Sequence, residues 1–144
     1  MFESGAIISY LFKVYGSGKV PWTLSESAWV PISAGLGVGL ARLGAGGSYQ
    51  TSDAPDEPIV LWAYEGSPFC KIVREALCAM EIPHTVMFTP RGSRNRQKLW
   101  EMTGRFQVPF LDDPNTNVRL FESEAMVEYL QKQYGIDESP VEYL

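Results

Sequence analysis

A chain of 144 residues that is 45% hydrophobic can bury one core of ordinary size. Twelve cations against seventeen acidic residues leave a net charge of −5, which disfavours general nucleic-acid binding. Two cysteines are too few for a disulfide scaffold, and one histidine leaves no evident metal constellation.

The opening residues lack the basic-then-apolar run of a signal peptide. Residues 2–16 read Phe-Glu-Ser-Gly-Ala-Ile-Ile-Ser-Tyr-Leu-Phe-Lys-Val-Tyr-Gly. Residues 121–135 read Phe-Glu-Ser-Glu-Ala-Met-Val-Glu-Tyr-Leu-Gln-Lys-Gln-Tyr-Gly, and nine of the fifteen positions coincide at a constant offset of 119. Two unrelated amphipathic helices would not share both the Phe-Glu-Ser opening and the Tyr-Gly end, so this is an internal repeat. Residues 1–16 then read as the last helix of a first copy whose earlier part is missing. A short protein with an added N-terminal helix is the alternative.

Residues 17–57 form a linker rich in Gly, Pro and Ser at both ends. Within it, 28–43 is apolar but interrupted by Pro31, Gly35, Gly37, Gly39 and Arg42. A membrane span needs about 20 apolar residues, so a packing helix is expected here, with self-association through 28–43.

From Pro58 the pattern becomes regular. Ile59 to Tyr64 is short, apolar and rich in β-branched and aromatic residues, which predicts a buried strand. Phe69, Val73, Leu77 and Met80 then recur at helical spacing, with Ser67 suited to the N-cap and Pro68 to the first turn. Cys70 and Cys78 lie eight residues apart, about 12 Å along a helix. A disulfide needs Cα atoms within about 7 Å, so no internal bridge is expected, and Cys78 reads as core packing. His84 opens a second strand, His84 to Thr89, and reads as structural. Strand, helix and strand in that order imply a right-handed crossover and parallel pairing. A basic loop from Pro90 enters a helix ending near Met102, which Gly104 stops. Phe106 to Leu111 contains a short strand, residues 112–117 read as a turn, and Val118 to Phe121 as the returning strand. The last helix, Ser123 to Tyr134, carries Ala125, Met126, Tyr129 and Leu130 as its apolar stripe. Ser123 is its expected N-cap and Gly135 its C′ stop. Residues 136–144 look like an acidic tail.

Three stretches carry a family resemblance. Ser67-Pro68-Phe69-Cys70 resembles the Cys-Pro-Phe/Tyr-Cys site of glutaredoxins, with serine at the first position, and the catalytic serine position of serine-type glutathione transferases. Gln107-Val108-Pro109-Phe110-Leu111 resembles the Val-Pro element of the thioredoxin fold, whose proline is cis. Leu120 to Leu130 resembles the Glu-Ser-x-x-Ile-x-x-Tyr-Leu element of transferase N-terminal domains. Together the motifs imply a complete α/β thioredoxin-like domain over 58–135, with order βαβ-α-ββα and a four-stranded mixed sheet. Its repetition resembles plant and algal proteins with two such domains in series, which implies a plastid or cytoplasmic setting.

The resemblance also implies glutathione as ligand or substrate, with glutathione transferase or thiol-transfer activity. Ser67 and Cys70 are then the catalytic candidates. Ser67 would donate a hydrogen bond to the glutathione thiol, and the same residue also suits a plain N-cap. With serine at 67, dithiol chemistry is excluded, so Cys70 could act only as a monothiol, a redox sensor if exposed. Phe69, Val108, Pro109, Glu122 and Ser123 are the implied glutathione-binding residues. The Val108 backbone would face the cysteinyl part, while Glu122 and Ser123 would hold the γ-glutamyl ammonium and carboxylate. Arg91, Arg94, Arg96, Lys98 and Arg105 are either a solvated face or a site for the glycine carboxylate. Tyr64 replaces the lysine usual in glutaredoxins, Glu65 adds negative charge, and the helical domain that builds the transferases' second-substrate pocket has no counterpart here. A non-catalytic interaction module on the same fold is the alternative function.

Overall fold

The computed structural model describes residues 4–21 and 48–136. The chain forms two compact units, Met1–Ala45 and Gly46–Leu144. The apolar segment 28–43 and the acidic tail from 137 lie outside the described residues.

In the first unit, helix α1 spans Ser4–Tyr15. The N–H groups of Gly16 and Gly18 both bond to Phe12 O, at 3.2 and 2.8 Å, and close its C-terminal end.

In the second unit, β1 (Ile59–Ala63) leads into α2 (Pro68–Ala79), then β2 (His84–Phe88) and α3 (Arg94–Thr103). The hairpin β3 (Phe110–Asp113) and β4 (Val118–Phe121) precedes α4 (Ser123–Tyr134). The strands are ordered β2-β1-β3-β4. β1 runs parallel to β2 and antiparallel to β3, and β4 returns antiparallel to β3. This is the four-stranded mixed sheet of a thioredoxin-like fold.

Side chains alternate across a strand, so β1 feeds two cores. Ile59, Leu61 and Ala63 pack with Cys70, Val73 and Leu77 of α2 and with Met126, Leu130 and Tyr134 of α4. On the opposite face Trp62 packs with Leu99 of α3 and with Phe110. Burial on both faces explains why β1 reads as an unbroken apolar run. The helix ends follow their sequence signals at α2 and α3. Ser67 Oγ accepts from Cys70 N–H at 3.3 Å, and Ser93 Oγ from Arg96 N–H at 3.1 Å. Gly104 closes α3 at φ 69°, a left-handed conformation that glycine adopts without steric cost.

Several details differ from the sequence reading. Cys78 is exposed rather than packed in the core, because it follows Leu77 around α2 and falls on the outer face. Both cysteines are free. Ser123 is the first residue of α4, not its N-cap; Glu122 takes that place and no side chain caps the helix. Ala125 is exposed, and the buried stripe of α4 is Met126, Leu130 and Tyr134. Asp112 and Asp113 extend β3 rather than begin the turn, and Asp113 is fully buried.

Residues 50–57, read above as the end of the linker, are bound to the domain. Gln50 N–H donates to Ala79 O at 2.8 Å, and Ser52 Oγ donates to Met80 O. Asp53 N–H donates to Tyr134 O at 2.8 Å, Ile136 N–H to Thr51 O at 3.1 Å, and Ser52 forms an antiparallel bridge with Gly135. Glu57 exchanges two hydrogen bonds with the Asn115 side chain. This pairing explains Gly135. Its backbone is extended (φ −69°), not left-handed as a C′ stop implies. A Cβ there would lie 2.4 Å from Gln131 O. Gly135→Ala is therefore expected to cost about 1–3 kcal/mol through steric displacement, read as a lower denaturation midpoint with an unchanged slope.

Candidate functional site

Strand register places the three sequence motifs at one end of the sheet. β1 runs toward Ala63 and Tyr64, beyond which Ser67 caps the start of α2. Trp62 pairs with Phe110, so the antiparallel β3 begins beside this same end, with Val108 and Pro109 just before it. Phe110 also pairs with Phe121, which puts Glu122 and Ser123 next in line. The Val108–Pro109 peptide is cis, as the resemblance implies.

Ser67 is buried, with 5% of its surface accessible. Its cap bond to Cys70 N–H uses an oxygen lone pair. A hydroxyl has two acceptor positions and one proton, so capping leaves the O–H able to donate. The positive end of the α2 dipole favours an anion at the same place. Phe69, beside it, is 60% exposed. Cys70 has no accessible surface and packs in the larger core. The catalytic and redox-sensor readings of Cys70 need a thiol that solutes can reach, and its position one turn inside α2 points it away from them. The negative charge expected of Glu65 is met by an ion pair with Arg74 of α2.

Val108 is half-buried and touches both cores. Neither its N–H nor its C=O pairs with another backbone group among the described residues. Pro109 behind it is buried. Gln107 Nε2 donates to Glu122 Oε1 at 2.5 Å, joining this loop directly to the start of α4. Sequence reading did not single out Gln107, whose type and position carry no signal without the register. Glu122 sits at φ 71° and ψ 117°, a region that non-glycine residues rarely occupy and that costs of order 1–3 kcal/mol. The first helical bond of α4 is Met126 N–H to Glu122 O at 3.1 Å. The preceding N–H groups of Ser123, Glu124 and Ala125 therefore face outward without a side-chain cap.

The five cations divide. The Arg96 guanidinium donates to Thr89 O at 3.1 Å and lies 5.9 Å from the Tyr64 ring centre. Arg105 lies 5.1 Å from the centre of the Phe121 ring. Arg91 and Arg96, with Ser93, Gln97 and Phe106, line a cleft of about 360 Å³. Arg94 and Lys98 belong to neither arrangement. No cluster able to hold a metal ion occurs among the described residues.

Away from this end lies a buried polar knot that composition disguised as a turn. Tyr129 and Tyr134 hydroxyls donate to Asp113 Oδ2 at 2.6 and 2.5 Å. Asn115 donates to Asp113 Oδ1 through its backbone and side-chain N–H groups, at 2.9 and 2.8 Å. Burial alone would raise the Asp113 pKa, but these four donors outweigh it and hold the carboxyl below its usual range. Burial, and the carboxylate beside it, push the Tyr134 hydroxyl up.

A βαβ unit and a ββα unit meeting at a cis-proline define the class as thioredoxin-like. The sequence profile described as glutathione S-transferase, N-terminal domain, matches residues 61–140, over half of the chain. The chain belongs to this family. The glutathione S-transferase-like protein tpcF of Aspergillus fumigatus is 32% identical over 84 residues, which are 58% of this chain and 37% of that protein. Among solved structures, a Bombyx mori glutathione transferase, BmGSTD1 in complex with GTT, is similar at 26% identity and a TM-score of 0.53. That match covers 59% of this chain and 40% of the other. A Drosophila mojavensis glutathione transferase homologue with bound glutathione shares the fold, at 22% identity and a TM-score of 0.50, over 56% of this chain and 36% of its own. The chain thus spans well under half the length of these relatives.

Proposed function

We propose that the chain binds glutathione at the C-terminal end of β1 and lowers the pKa of its thiol, as the first half of transferase or thiol-transfer chemistry. The observation that carries this reading is the convergence, at one sheet end, of the Ser67 hydroxyl, the unpaired Val108 backbone and the uncapped start of α4. Each suits one part of the tripeptide. Outward N–H groups at the start of α4 favour the γ-glutamyl carboxylate, and Glu122 beside them suits the ammonium. The N–H and C=O of Val108 offer a strand-like pair of hydrogen bonds to the cysteinyl backbone. Ser67 then meets the sulfur. A serine hydroxyl is too weak an acid to be the thiolate, so the nucleophile is the sulfur of glutathione and Ser67 is its donor. The strained φ of Glu122 fits a residue whose conformation is fixed by a ligand contact.

Titration with reduced glutathione, followed by backbone NMR, is the direct test. Saturable shifts are expected at Ser67, Val108 and Ser123, weakened in Ser123→Ala. Unmoved resonances at these three positions at millimolar glutathione would remove the proposal and leave an interaction module on the same fold.

A further inference from the structure

Helices α1 and α4 are duplicates in structure as well as in sequence. Their bounds, Ser4–Tyr15 and Ser123–Tyr134, differ by the same 119 residues as the repeated text. Their ends close alike, with Gly16 N–H on Phe12 O and Gly135 N–H on Gln131 O, again at that offset. Their environments are opposite. In α4, Met126 and Leu130 are fully buried, Tyr129 is half-buried and Tyr134 is buried with its hydroxyl on Asp113. The matching residues of α1 are Ile7, Tyr10, Leu11 and Tyr15, which are 38%, 46%, 48% and 78% exposed. Val14, beside them, is half exposed.

We infer that α1 is the closing helix of a second thioredoxin-like sheet, supplied from the N-terminal side of the polypeptide, and that its exposed stripe docks there as α4 docks here. The chain itself displays the partner's chemistry. It is an apolar floor equivalent to Ile59, Leu61 and Leu111, flanked by a helix equivalent to α2. An acidic residue at the place of Asp113 would accept from Tyr15, and from Tyr10 as from Tyr129. Conservation of both tyrosines between the copies follows from that shared acceptor, since an apolar stripe alone needs no hydroxyl. A lipid surface fits less well, because interfacial helices are rich in Lys and Arg and Lys13 is the sole cation of α1.

Two experiments on the full chain decide the matter. In the first, α4 is given the sequence of α1 by six substitutions: Glu124→Gly, Met126→Ile, Val127→Ile, Glu128→Ser, Gln131→Phe and Gln133→Val. The domain is expected to keep one cooperative unfolding transition. In the second, residues 46–120 are duplicated ahead of Phe2, so that Phe2-Glu3-Ser4 follows Leu120 as Phe121-Glu122-Ser123 does natively. Amide hydrogen exchange of α1 is expected to slow by about tenfold to a hundredfold, the effect of burying one Leu-sized side chain. Leu11→Glu should restore fast exchange. The inference is overturned if the six-substitution chain does not fold. It is equally overturned if that chain folds and α1 in the fusion exchanges as in the unmodified chain, or if Leu11→Glu leaves the protection intact. Concentration-dependent protection of α1 in the unmodified chain would assign the stripe to a second copy and also overturn it.

Discussion

Asp113→Ala is expected to lower the unfolding free energy by about 3–5 kcal/mol, the loss of four hydrogen bonds to one charged acceptor at about 1.5–3 kcal/mol each, less what water and the remaining partners return. Asp113 has no accessible surface and accepts four hydrogen bonds. Removing it strands the buried Tyr134 hydroxyl and the Asn115 backbone N–H, while the Tyr129 hydroxyl keeps Thr116 Oγ1 as a partner and the Asn115 side chain keeps Glu57 O. Each stranded donor costs about 1–3 kcal/mol, partly recovered if water enters. Asn115 also ties the turn to Glu57, so the loss should spread to the segment ahead of β1. Asp113→Asn keeps the shape but only one acceptor oxygen, and should cost less. Chemical denaturation reads both. A loss below about 1 kcal/mol in Asp113→Ala would show that the knot contributes little.

The pH dependence of this knot has a definite sign. The folded-state pKa of Asp113 lies below its ordinary value of 3.8. Stability from such a group is fully present above its unfolded pKa and drains away as pH falls through the folded value. The wild-type advantage over Asp113→Asn should be constant above about pH 5 and shrink below about pH 4. A constant difference down to strong acid would contradict the assignment.

Ser67→Ala is expected to raise the pKa of the bound glutathione thiol by about one to two units. A hydrogen bond to a charged acceptor contributes about 1.5–3 kcal/mol, and one pKa unit corresponds to about 1.4 kcal/mol. With an ordinary thiol pKa of about 8.5, the thiolate fraction at neutral pH would then fall by roughly eightfold to twenty-five-fold. The lost N-cap costs about 1 kcal/mol of stability, which separates a folding effect from a functional one. Ser67→Thr keeps both the cap and the donor and should stay close to wild type on both readouts. Ultraviolet titration of the thiolate in the saturated complex is the measurement. An unchanged thiol pKa in Ser67→Ala, with glutathione still bound, would reduce Ser67 to a cap.

Much of the fold was legible because local and global signals agree. The apolar run at β1, the Ser-Pro start of α2 and the Gly104 stop each state one structural fact in one or two residues. What was hidden depends on pairing across long separations. Asp113 sits in a stretch whose composition spells a turn, and nothing local tells that Tyr129 and Tyr134 reach back to it. Gln107 matters through Glu122, fifteen residues away. Residue type alone points Cys78 to the core, whereas its place beside the buried Leu77 decides its exposure. At the candidate site the order of the motifs could be read. That they share one end of the sheet came only from the register of β1, β3 and β4.

The antiparallel bridge between Ser52 and Gly135 makes the entrance and exit of the domain neighbours. A unit with adjoining ends behaves as a cassette. It can be inserted, doubled or removed without drawing the flanking polypeptide apart, the property that makes domain insertion and circular permutation tolerable. It also sets a geometric rule for anything fused on either side: two attachments made at these ends leave from the same corner of the molecule and compete for the same space.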